Sequence, residues 1–262
     1  MNKNTLTLIS RLVIVLLVAT LLIFPACTHS PEQVVPDTTP DSTPTPTPAS
    51  SPAQIASYTI ADPNGDWGYP SPYSHYSRGP GYTRMSFIFE TLVWKNATDF
   101  IPQLAKEWEY VEGETAYIFR LQNNVKWHDG TELTAEDVVF TFDYAKEHPY
   151  QWVDNSIVKS AEAVDKHTVK LYLSKPYSPF LQNVAGTQPI IPRHLWQDVA
   201  EPGKFTDPEA VIGTGPYTLA DYSKEHGTYL YKAFNEYYLG EPLVKEIKFV
   251  KISEEMTPAA LK

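Results

Sequence analysis

Two stretches of the sequence carry side chains with chemical potential. Residues 125–137 read VKWHDGTELTAED, placing His128 beside Asp129 with Glu132, Glu136 and Asp137 close behind. Imidazole and carboxylates together suit a metal site or an acid–base pair. The spacing, however, matches neither HExxH nor a paired-histidine pattern, so no metal site is expected here. Residues 62–84, DPNGDWGYPSPYSHYSRGPGYTR, are the second stretch. Their rings with polar tips suit a cleft that stacks on a ligand and hydrogen-bonds it. Asp66, Trp67, Tyr69, Tyr73, His75, Tyr76 and Tyr82 are the candidate contacts, and Arg78 and Arg84 could pair with a ligand carboxylate bidentately. Trp152, in HPYQWVDN, is a further candidate, equally suited to a core. No G-x-S-x-G occurs, and Gly213-Thr214-Gly215-Pro216 lacks the length and lysine of a phosphate loop.

The elements that must hold these residues follow from local chemistry. Asp129–Gly130 is a tight-turn dipeptide, and Thr134-x-x-Asp137 has the form of a capping box opening a helix. Val138, Val139, Phe142 and Ala145 then recur at helical spacing as its buried face. Turn and cap thus account for most of the acidic cluster. SYTIA (57–61) reads as a strand ahead of the aromatic loop, and TRMSFIFETLVW (83–94) as a helix running into a buried stretch. TAYIFRLQ (115–122) alternates as a strand, with a turn at Asn123–Asn124. Residues 157–173 read as two strands about a turn at Asp165–His167, and SPFLQNVAG (178–186) as a short helix closed by Gly186. Residues 213–223, 228–238 and 244–252 give three strand-like runs. The final EEMTPAALK begins a helix that reaches Lys262 without a cap, as a truncated frame would.

Upstream lies a different composition. Residues 1–26 join Lys3 and Arg11 to the apolar run LVIVLLVATLLIF, the form of an export signal. Ala26 directly precedes Cys27, the only cysteine, as in a bacterial lipobox, so Cys27 is the expected lipidation site. Residues 28–53 are rich in Pro, Thr and Ser and too poor in large apolar groups to fold; they read as a spacer. One cysteine forms no internal disulfide, leaving stability to core burial. The net charge of −10 lacks the basic face that a nucleic-acid partner needs.

In succession, FIPQLAKEWEY, YIFRLQNNVKWHDGTELTAEDVVFTFDYA, VDKHTVKLYLSKPYSPFL, IIPRHLW and GTGPYTLADY followed by FNEYYLGEPLVKEIKFVKI resemble the family 5 extracytoplasmic solute-binding proteins of peptide and nickel ABC importers. The resemblance spans roughly residues 57–262. It implies an α/β, type II periplasmic-binding-protein-like fold of two lobes closing on ligand. About 57–91 and 197–262 would form the main part of lobe I, and 92–196 an inserted α+β subdomain. Residues 27–56 would be the lipid-anchored linker, and the second lobe is expected beyond Lys262. The implied function is a non-enzymatic, monomeric subunit on the outer face of the cytoplasmic membrane or in the periplasm. It would deliver oligopeptides or dipeptides to an ABC permease without a cofactor. A nickel chelate or oligosaccharide ligand, a secreted hydrolase using carboxylates such as Asp66 or Asp129, and a nonfunctional fragment are the competing readings.

Overall fold

The computed structural model describes residues 53–77 and 79–252. The export signal, Cys27, most of the spacer, Arg78 and the final EEMTPAALK helix lie outside them.

A four-stranded sheet combines the two ends of the described chain. Strand β1 (Tyr58–Asp62) runs parallel to β10 (Glu246–Lys251), which pairs antiparallel with β9 (Thr228–Ala233); β9 pairs with β8 (Tyr217–Ser223). Tyr229 and Tyr231 on β9, with Ile247 and Phe249 on β10, alternate inward as a two-residue period requires. They form a core with Met85, Ile88, Phe89, Ile191 and Trp196.

A second, antiparallel sheet runs in the order β4 (Ala105–Val111), β5 (Ala116–Leu121), β7 (Thr168–Leu173), β6 (Val158–Asp165). Val169, Leu171 and Leu173 on β7 and Phe119 and Leu121 on β5 bury one face, covered by helix α2 (Ala135–Glu147). The capping box forms: the Asp137 carboxylate accepts the Thr134 amide at 2.9 Å. Its other oxygen accepts the Arg193 amide at 3.0 Å, tying the helix start to α3 (Arg193–Trp196). A short hairpin, β2 (Val93–Lys95) with β3 (Phe100–Pro102), precedes β4. The 178–186 helix is a single π-helical turn, Leu181–Ala185, closed by the Gly186 amide on Leu181.

Helix α1 (Gly79–Met85) starts earlier than its sequence suggests and stops at Met85. Beyond it the carbonyls of Phe87 and Ile88 accept the amides of Tyr217 and Gly215, at 3.1 and 2.7 Å, instead of continuing an intrahelical ladder. That crossing demands glycine: a Cβ on Gly213 would sit 2.0 Å from the Ile88 carbonyl oxygen. His128 locks the same crossing. Its amide donates to Gly213 O and its Nε2–H to Gly215 O, both at 2.9 Å, while Nδ1 accepts the Gly213 amide at 3.3 Å. WHDG and GTGP, far apart in sequence, are therefore two halves of one joint. Glu90 lies beside it, 1% exposed, with Oε1 accepting the hydroxyls of Tyr237 (2.8 Å) and Tyr238 (3.1 Å). Burial pushes its carboxyl up to about 7, against the opposing hydrogen bonds.

Candidate functional site

In open α/β sheets ligands gather outside the carboxyl ends of parallel strands. Here β1 and β10 end side by side, Asp62 in register with Lys251, and the aromatic loop leaves from Asp62. Asp62 organises the loop's first half. Its Oδ1 accepts the amides of Asn64 (2.9 Å) and Gly65 (3.3 Å), and its Oδ2 accepts Trp67 Nε1 (2.7 Å) and the Arg84 guanidinium (2.6 Å). Burial acts to raise the Asp62 pKa, but the hydrogen bonds from Trp67, Asn64 and Gly65 and the Arg84 charge outweigh it. Arg84 is itself buried, with Cζ 3.4 Å from the Phe249 ring centroid. Its guanidinium is committed within the protein.

Asp66 organises the second half. It accepts the hydroxyls of Tyr222 (2.7 Å) and Tyr76 (2.8 Å) and the Gly68 amide (3.1 Å). The Tyr229 hydroxyl accepts the Trp67 amide at 2.7 Å. Its one proton reaches Gly68 O at 2.9 Å or Asp66 at 3.4 Å, and the shorter contact takes it. Tyr69 donates to Asp207 O at 3.3 Å and meets Tyr222 edge-on at 5.5 Å.

A second group surrounds His75. Its Nδ1 lies 3.0 Å from Tyr76 O, which only accepts, so Nδ1 carries the proton and Nε2 accepts Tyr150 OH at 3.0 Å. Burial holds its pKa below the usual histidine range, keeping the ring neutral at neutral pH. Trp152 packs against His75 (5.6 Å) and Tyr82 (5.4 Å), while burial pushes the Tyr82 hydroxyl up to about 12. Tyr73 turns inward among Tyr144, Tyr150 and Trp196. The fold thus brings Trp152 to the loop although some seventy residues separate them in sequence. Tyr76 and Trp152 are exposed, whereas Trp67, Tyr69 and Tyr82 are half-buried. Beyond Trp152 a cavity continues past Asp154, Lys175, Tyr177 and Asn183.

Tyr150, Tyr222, Tyr229 and Phe249 belong to this arrangement without having been singled out in the sequence. Three of them sit in strands, where alternation explains a tyrosine or phenylalanine without reference to a ligand. The 125–137 carboxylates serve elsewhere: Asp129 pairs with His194 at 2.7 Å, and Glu132 with Lys166 at 2.8 Å and His167 at 3.3 Å. Asp66 and Asp129, named for an acid–base reading, have separate partners and no shared contact. Among the described residues no group of three or more His, Cys, Asp or Glu is placed to hold a metal, and no helix is long and apolar enough to cross a membrane.

Residues 99–262 match the family of bacterial extracellular solute-binding proteins, family 5 Middle. The chain belongs to this family. Among family 5 relatives, it is 34% identical over 176 residues to the dipeptide-binding protein of Escherichia coli K12, covering 58% of this chain and 32% of the relative. It is 32% identical over 188 residues to the nickel-binding periplasmic protein of the same organism, covering 66% and 34%. The chain therefore spans about a third of the length of these relatives. Its fold resembles the crystal structure of the ABC transporter substrate-binding protein CtaP from Listeria monocytogenes, with a TM-score of 0.68 and 28% identity over 79% of this chain and 42% of that one. The oligopeptide-binding protein AppA from Bacillus subtilis, solved with a nonapeptide, shares the fold at a TM-score of 0.66 and 21% identity, over 77% and 41%. The architecture is that of type II periplasmic-binding-protein-like folds, and the relatives are binding proteins rather than enzymes, which removes the hydrolase reading.

Proposed function

We propose that the protein is the substrate-binding subunit of an ABC importer and that its ligand is a peptide. The carrying observation is the aromatic shelf at the carboxyl ends of β1 and β10, where Tyr76 and Trp152 are exposed and Trp67, Tyr69 and Tyr82 half-buried. Amphipathic rings suit a ligand of alternating amide and side-chain groups. Tyr73, His75 and Arg84 support the shelf from behind, each already engaged within the protein. The division into the main part of lobe I (57–91 and 197–262) and an inserted subdomain (92–196) is supported by a core that runs from Leu92 to Ile190, although Tyr144, Ile191 and Trp196 pack into the core of the first sheet. Closure of a further lobe over the shelf would favour the bound state through contacts made only there.

A nickel chelate is the second reading, favoured by the likeness to the nickel-binding relative. His75 speaks against direct coordination, because both ring nitrogens are hydrogen-bonded. Calorimetry of the full-length protein against peptide pools, nickel chelates and oligosaccharides decides between them: heat with peptides is expected, and its absence there would sink the peptide reading. We also propose lipidation at Cys27, placing the protein on the outer face of the cytoplasmic membrane; the signal-like residues 1–26 and the following spacer support it. Cys27→Ser is then expected to move the protein from the membrane to the soluble fraction.

A further inference from the structure

We propose that Asp66 positions the binding surface rather than touching the ligand: with Tyr222 and Tyr229 it forms a latch that pins the 62–77 loop to β8 and β9. This inference rests on the peptide-binding reading for its effect on affinity, but not for its effect on the loop.

Asp62 fastens the start of the loop and the packing of Tyr73 and His75 fastens its later half; the Asp66–Gly68 backbone lies between these anchors. The loop contains no regular element, and its own backbone closes mainly through Tyr76 N–H to Trp67 O at 2.8 Å and an isolated bridge between Gly68 and His75. Ordering so many residues opposes folding through the chain entropy lost. The latch supplies attachment from three directions. Tyr222 reaches Asp66 from β8, Tyr229 holds Trp67 N–H and Gly68 O from β9, and Tyr76 returns from the far end of the loop. Gly227, at the turn between β8 and β9, lies against Gly65 and Asp66 so closely that a Cβ there would come within 2.7 Å.

Engagement of the carboxylate within the protein on both oxygens distinguishes a latch from a contact. Asp66 already receives three donors from the protein, and all of them are neutral. Burial acts to raise its pKa, yet the Tyr222, Tyr76 and Gly68 hydrogen bonds prevail and keep the carboxyl below its usual range. A charged acceptor strengthens each of those bonds. Tyr76 and Tyr69, oriented by this network, are ring surfaces of the shelf. A surface ordered before the ligand arrives avoids that ordering cost on binding.

The test uses the full-length protein and two readouts: hydrogen exchange across residues 66–76, and calorimetric binding of an equimolar pool of synthetic tri- to pentapeptides. Tyr222→Phe removes one donor and keeps the ring. It is expected to raise exchange in the loop about tenfold and weaken peptide binding about tenfold, as losing a hydrogen bond to a charged group would. Asp66→Asn should do at least as much, and the double variant should add little, because both changes open one latch. Retained cooperative unfolding of Tyr222→Phe shows that the effect is local. Unchanged loop exchange in both variants overturns the latch. So does weaker binding by Asp66→Asn with normal exchange and a silent Tyr222→Phe, which would make Asp66 a direct contact. If the wild-type protein binds nothing in the pool, the peptide reading fails, and exchange alone decides the latch.

Discussion

At the scale of single residues, buried Glu90 and half-buried His128 give the protein opposing responses to pH. His128 is neutral in the fold, its Nδ1 accepting the Gly213 amide, and burial lowers its pKa. Its contribution is complete above the unfolded histidine value of about 6.5 and is lost as pH falls through the lowered folded value. Urea midpoints for wild type and His128→Gln are expected to converge as pH is taken from 7.5 toward 5. Glu90 behaves in the opposite sense. Its pKa is raised to about 7, so its contribution is complete below the unfolded value of about 4.5 and is lost as pH rises through 7. Relative to Glu90→Gln, wild type should lose roughly 3 kcal/mol between pH 4.5 and 8. A flat difference across that range would mean that the carboxyl titrates normally despite its burial.

At the scale of elements, the joint between the 87–92 segment and the 213–217 strand entry holds the glycine at which a Cβ would meet the closest neighbour. The Ile88 carbonyl oxygen stands 2.0 Å from where a Gly213 Cβ would lie, and backbone cannot rotate away as a flexible side chain can. Gly213→Ala is expected to destabilise the protein by about 3 kcal/mol, measured by chemical denaturation, because overpacking here must move chain rather than a rotamer. Gly130→Ala provides the contrast. Its φ of 89° imposes strain, but nothing stands within 4 Å, so the loss should be about 1 kcal/mol.

At the scale of the whole molecule, Trp152 connects the two halves of the candidate site. It belongs to the segment between α2 and β6, yet packs on His75 and Tyr82 from the loop that follows β1. Trp152→Ala removes a ring that is 37% exposed and otherwise packed on His75, Tyr82 and Tyr150, so stability should fall by about 2 kcal/mol while peptide binding by the full-length protein weakens at least about tenfold. Trp152→Phe should recover most of the binding. Calorimetry and thermal unfolding of the two variants together check both halves of that expectation.

Local rules were enough to read much of the architecture. The Thr134–Asp137 cap, the Asp129–Gly130 turn and the turn at Asp165–His167 each follow from a few neighbouring residues and are present, and the strand-like runs at 213–223, 228–238 and 244–252 contain shorter strands at 217–223, 228–233 and 246–251. The succession of motifs likewise carried the family, because order along a chain is a property of sequence. Partners distant in sequence were not legible. Nothing near Asp66 announces Tyr222 or Tyr229, and nothing near Arg84 announces Asp62 and Phe249. The sequence by itself determined that an aromatic, polar-tipped loop follows the first strand. Only the tertiary structure decided which of its side chains turn inward to hold it and which face solvent, because that choice depends on donors brought together by strand pairing across more than a hundred and fifty residues.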